Sequence, residues 1–115
     1  MLNNLNLNLI KNKNIYIYCA HVYGLALYQE LAKKNLKLKS ILDDNLKILK
    51  RKLNGNKIVI KSPEEIISQK NFNNENCKIL VCARTKKTFN TILMKLLRLG
   101  IPKQNVINMV SYFYK

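Results

Sequence analysis

The sequence predicts an α/β fold: a small three-layer domain around a mostly parallel five-stranded sheet, with strand order 3-2-1-4-5. Three observations carry this expectation. Short runs rich in β-branched and aromatic residues alternate with segments of helical spacing, in the order β-α-β-β-α-β-α-β. Such alternation implies parallel strands joined by right-handed crossovers. The strand runs, such as "IYIYC" and "KILVCA", are continuously apolar, as strands covered on both faces are. The chain has 115 residues, 48% of them hydrophobic, which suits one domain with a small but real core.

Residues 1–13 are Leu/Asn alternation with two lysines and read as a loose N-terminal arm. The domain is expected over 14–110, with 111–115 as a tail. Residues 15–19 form the first strand. In "VYGLALYQELAKKN", Leu25, Tyr28, Leu31 and Ala32 recur at helical spacing, and Lys33, Lys34 and Asn35 suit a helix C-terminus. "LKLKSILDD", 36–44, is the second strand, and Asn54–Gly55 is a turn signal leading into a third over 57–60. Ser62, Pro63 and Glu65 supply an N-cap, a first helical residue and a capping box. The fourth strand is 78–83. The helix after it shows an apolar face of Phe89, Ile92, Leu93, Leu96 and Leu97, and it is stopped by Gly100 and Pro102. "NVINMV", 105–110, is the last strand.

No apolar run reaches the ~18 residues of a membrane span. The N-terminus lacks the charged segment and continuous apolar stretch of a signal peptide, so a cytoplasmic protein is expected. The net charge is +15, carried by 18 lysines and three arginines, and asparagine and isoleucine are also abundant. Lys, Asn and Ile share A/T-rich codons, so a biased genome could produce this surface. Specific nucleic-acid readers favour arginine and aromatic stacking. On these grounds nucleic acid is not expected as a partner. The three cysteines are odd in number and follow no zinc spacing. Cys19, His21 and Cys82 therefore predict no metal site. His21 is the only histidine, and no catalytic set is legible.

The candidate ligand site begins at the loop "CAHVYG". After the first strand of a dinucleotide fold, G-x-G-x-x-G makes a tight turn, admits a pyrophosphate to the backbone and packs helix on strand. In this loop (Cys19, Ala20, His21, Val22, Tyr23, Gly24) those positions are Cys19, His21 and Gly24; only the packing glycine is retained. A helix N-terminus here would still favour an anion, and His21 either contacts that anion or merely caps the loop. Asp43 and Asp44 lie 19 and 20 residues beyond Gly24, near the spacing at which an acid meets a ribose hydroxyl; a plain Asp-Asp-Asn turn is the alternative. With strands 1 and 4 adjacent, Ala83, Arg84, Thr85 and Lys86 would border the same crevice. Arg84 or Lys86 could hold a phosphate, and Thr85 is placed to cap the next helix.

The segments "IYIYCAHVYGLALYQEL", "KSILDDN", "LNGNKIVIKSPEEI", "KILVCA" and "LLRLGIPKQNVI" together resemble Rossmann-like domains of bacterial surface-polysaccharide and glycan biosynthesis. These include the N-terminal domain of hexapeptide-repeat sugar acyltransferases and modules attached to FkbM-type or sugar methyltransferases. The resemblance spans residues 14–109. It implies a nucleotide or nucleotide-sugar ligand, with phosphates at 19–24 and the nucleoside at Asp43 and Asp44; the weak match of the loop to G-x-G-x-x-G is what makes NAD the less expected ligand. It also implies a separate catalytic partner or domain. Cys19 and His21 depart from the family's glycines. The alternatives are a structural or protein-interaction module whose site has been lost, or a fragment of a sugar-nucleotide oxidoreductase or transferase.

Overall fold

A computed structural model describes residues 7–19, 21–36, 38–45, 52–53, 58–70 and 72–110. Six strands form one sheet: β1 (Asn14–Tyr18), β2 (Leu38–Leu42), β3 (Lys52–Leu53), β4 (Ile58–Lys61), β5 (Cys77–Val81) and β6 (Val106–Asn108). Their order is β3-β4-β2-β1-β5-β6. All neighbours pair in parallel except β3 with β4, which are antiparallel. Without β3, the order is the expected 3-2-1-4-5, and the fold is Rossmann-like. The edge strand β3 is an addition to the expected five. It is two residues long, too short for a periodic pattern, although an Asn-Gly signal stands between it and β4. The expected turn at Asn54–Gly55 itself lies outside the described residues.

Each helix is built by local chemistry. For α1 (Val22–Lys33), His21 is the N-cap. At its C-terminus Asn35 takes φ 58°, and the Leu36 N–H donates to the Leu31 carbonyl at 3.0 Å. The 13-residue α3 (Lys86–Arg98) ends the same way, with Gly100 at φ 95° and Ile101 N–H donating to the Leu96 carbonyl at 3.0 Å. Both are Schellman motifs, in which a left-handed residue lets the chain turn back on the last helical carbonyls. In α2 (Pro63–Ile67), the Ser62 hydroxyl accepts the Glu65 N–H at 3.2 Å, as the capping-box spacing predicted. The Thr85 hydroxyl accepts the Thr88 N–H at 3.1 Å and starts α3.

The central strands β1, β2 and β5 bury both faces. On one face Ile15, Ile17, Ile41, Ile60 and Leu80 pack beneath Leu27 and Leu31 of α1. On the other, Tyr16, Tyr18, Leu42, Ile79 and Val81 pack against Ile66 of α2 and Phe89, Ile92 and Leu96 of α3. This alternation follows from the two-residue period of a strand. The buried stripe of α1 is Gly24, Leu27 and Leu31, with Leu25 and Tyr28 half-buried and Ala32 exposed. That stripe is rotated from the expected one because Gly24 is where helix and strand meet. Ile10, just after a 3-10 turn at Leu7–Leu9, is fully buried in the α1-side core. Among the described residues no helix is long and apolar enough to cross a membrane.

Candidate functional site at the switch point

β1 lies between β2 and β5, and its chain continues into α1 on one face while that of β5 continues into α3 on the other. The strand order therefore reverses at β1 and β5, and their C-terminal ends form the switch point of the sheet. In open α/β sheets this is where ligands bind.

The loop after β1 leaves the strand sharply. Cys19 takes φ 87°, in the left-handed region that costs an L-residue roughly 1–2 kcal/mol. Its N–H is held by the Leu42 carbonyl at 2.8 Å. The turn thus has the backbone that its first position asks of a glycine, with a thiol attached. Gly24 is buried beneath it. A Cβ there would lie 2.0 Å from the Cys19 carbonyl oxygen and 3.3 Å from Ile17 Cγ2, so the packing glycine is sterically required. Burial, reinforced by Asp43 and Asp44, pushes the Cys19 thiol up to about 12. It is protonated at neutral pH, which disfavours it as a nucleophile.

His21 closes the N-terminus of α1 with its own side chain. Nδ1 accepts the Tyr23 N–H at 3.2 Å, so the neutral ring carries its proton on Nε2. Nε2 is buried without a hydrogen-bond partner among the described residues. Burial and then Arg84 lower the His21 pKa; the Cys82 backbone, short of hydrogen-bond geometry, and Asp43 oppose the shift. The His21 and Tyr23 rings meet edge-on at 5.5 Å, and the Arg84 guanidinium lies 5.9 Å from the Tyr23 ring centroid. Arg84 thus reaches α1 from the end of β5.

One consequence is testable by pH. Only the neutral ring can accept the Tyr23 N–H, so the folded protein resists protonation and the unfolded chain does not. The stabilising contribution of His21 is complete above its ordinary pKa of 6.5 and is lost as pH falls below that value toward the lowered folded one. We expect the melting temperature to drop between pH 7.5 and 5.5 in the natural protein and to drop less in His21→Asn, which caps without titrating. Equal drops would place the pH dependence elsewhere.

The two aspartates part company. Asp43 is half-buried. Its N–H donates to the Lys61 carbonyl at 3.0 Å, its Oδ1 accepts the Asn45 N–H at 2.8 Å, and its charge is felt by Cys19 and His21. Asp44 turns to the α3 side, where Oδ2 accepts the Tyr18 hydroxyl at 2.7 Å and Oδ1 binds the Lys95 ammonium. Lys95 also meets Glu64 at 3.3 Å. Desolvation lowers the Lys95 pKa, but Asp44 and Glu64 outweigh it and raise the net value. Tyr18 and Lys95 had no sequence signal as partners of Asp44, which they meet across 26 and 51 residues.

Of the remaining predicted residues, Val22 is exposed and begins α1, and Lys86 is exposed and begins α3. Ala83 is buried in the α3-side core, and Thr85 is committed to capping. Ala20 lies outside the described residues. The switch point therefore brings together Cys19, His21, Tyr23, Asp43 and Arg84.

No protein-family model matches the sequence, and no curated protein matches it. Solved structures do. RSP, a Rex-family repressor, superposes with a TM-score of 0.60 at 21% identity, over 89% of this chain and 54% of that one. The chain has the fold of about half of that repressor. RSP in complex with β-NAD+ and operator DNA matches at TM-score 0.58 and 21% identity, covering 89% of this chain and 52% of that chain. RSP in complex with β-NADH matches at 0.56 and 24%, covering 89% and 54%. These neighbours are repressors, not glycan-biosynthesis proteins. They also correct one expectation. Nucleic acid was set aside as a partner because the excess charge is lysine and follows codon bias, yet a protein of this fold has been solved on operator DNA. Contacts to the phosphate backbone need only positive charge, which lysine supplies, so the scarcity of arginine does not exclude such a partner.

Proposed function

We propose that residues 14–110 form a nucleotide-binding module that performs no chemistry alone, with its ligand in the crevice above β1, β2 and β5. The observation that carries this reading is the loop from Cys19 to Gly24. It keeps the sharp turn and the helix–strand contact of a phosphate loop although two of the three glycines are gone. Asp43 on one side of that loop suits a ribose diol, and Arg84 on the other suits a phosphate. The ligand chemistry is a nucleoside diphosphate, common to nucleotide sugars and to NAD(H). A phosphate oxygen at α1 would compete with His21 Nδ1 for the Tyr23 N–H.

Two sources of that chemistry have support. The sequence resemblance favours a nucleotide sugar serving surface-polysaccharide biosynthesis. The repressor neighbours, solved with β-NAD+ and β-NADH, favour a dinucleotide. The second reading, a structural module with a lost site, is favoured by His21 itself, which already caps the helix that a phosphate would need.

A thermal-shift panel of UDP, UDP- and GDP-sugars, NAD+ and NADH separates the three. Ligand at ~100 times its dissociation constant stabilises by about 2.7 kcal/mol, a shift of several degrees. A shift with one class, abolished by both Asp43→Ala and Arg84→Ala, supports the crevice and names the class. No shift with any member leaves the structural module.

A further inference from the structure

A hollow lies at the end of the sheet opposite the switch point, below the N-terminal ends of β1 and β2. It has a volume of about 510 Å³. Lys11, Lys13 and Lys39 line it together with Asn12, Asn14 and Asn35. Its apolar floor includes Ile15 and Leu36.

The backbone carrying these lysines is anchored. Ile10 is fully buried, the Lys13 N–H donates to the Ile10 carbonyl at 3.1 Å, and the Asn12 carbonyl accepts the Asn76 amide at 3.5 Å. Asn12 and Asn35 take φ 62° and 58°, a conformation asparagine tolerates better than most residues. Lys39 stands on β2. Two segments distant in sequence thus bring three lysines to the lining of one hollow, and Lys39 also borders a smaller one on the side of Ile66 and Phe72.

No carboxylate lines it. The chain has six acidic residues, and three of them are committed elsewhere, Glu30 to Lys33 and Asp44 and Glu64 to Lys95. The side chains of Lys11, Lys13 and Lys39 make no ion pair or hydrogen bond among the described residues. Three like charges around one cavity repel each other, and an anion between them relieves that repulsion. Lysine ammonium groups act as point charges toward phosphate, and asparagine amides add neutral donors.

We propose that this hollow is a second binding site, separate from the crevice, that takes a phosphorylated small molecule. The volume is in the range of small-ligand pockets, roughly 300–1,000 Å³. All three lysines line one concavity, whereas a nucleic-acid backbone needs cations strung along several phosphates.

Inorganic tripolyphosphate is the probe, titrated calorimetrically into the full chain at 150 mM KCl. Lys11→Gln/Lys13→Gln/Lys39→Gln should weaken binding at least tenfold. Lys70→Gln/Lys87→Gln/Lys103→Gln removes the same charge from exposed sites elsewhere and should change binding less than twofold. Melting curves without ligand show that each variant is folded. The proposal is overturned if the control triple loses as much as the first, since diffuse charge would then explain binding. It is equally overturned if tripolyphosphate does not bind the natural chain. Displacement of tripolyphosphate by duplex DNA, with a steeper salt dependence, would overturn the small-molecule assignment in favour of a nucleic-acid contact. The crevice reading stands or falls separately, on nucleotide binding that Arg84→Ala removes and the Lys11/Lys13/Lys39 triple variant keeps.

Discussion

Gly24→Ala should lower the melting temperature by about 10 °C, because roughly 3 kcal/mol is lost when a packed contact is forced apart. The added Cβ would stand 2.0 Å from the Cys19 carbonyl oxygen. Neither side can yield cheaply. The carbonyl belongs to a turn already held in the left-handed region and pinned by the Leu42 carbonyl. The helix above it is fixed by Leu27 and Leu31, both fully buried. Gly100→Ala is the internal comparison. There a Cβ meets nothing within 4 Å and the cost is only that of a positive φ, about 1 kcal/mol. Thermal melts of the two variants side by side test the difference. Equal, small losses would mean that α1 slides on β1 and that the loop does not depend on its glycine.

Asp44→Ala is expected to cost about 2 kcal/mol, the penalty of leaving a buried hydroxyl without an acceptor. Tyr18 is 1% exposed and donates to Asp44, and Lys95 would keep only Glu64. The ion pair itself is half-solvated and adds little. Tyr18→Phe removes the same hydrogen bond from the other side without stranding a polar group. The double variant should therefore be less destabilised than the two single losses added together, a coupling read from denaturant midpoints. Strict additivity would show that Asp44 stabilises the fold by some other contact.

Much of this molecule was legible before any coordinates. Caps and stops act within four residues, so Ser62, Pro63, Glu65, Thr85 and Gly100 mark the helices they bound. Doubly buried strands read as apolar runs, and the alternation of strand and helix left few topologies to consider. The stripe of α1 was less legible, because the face a helix buries depends on the point of closest approach, and that point is a glycine. The Tyr18–Asp44–Lys95–Glu64 cluster and the lysine-lined hollow were not legible at all. Each joins residues with no local spacing in common.

The chain's own letters determined the alternating elements, their ends and the parallel sheet, because these depend on short-range sterics and on apolar patterning. They also placed two aspartates at the end of one strand. Which of the two faces the crevice was decided only in the tertiary structure. Successive residues leave a strand on opposite faces, and the side on which α1 and α3 pack sends Asp43 toward His21 and hands Asp44 to Tyr18 and Lys95.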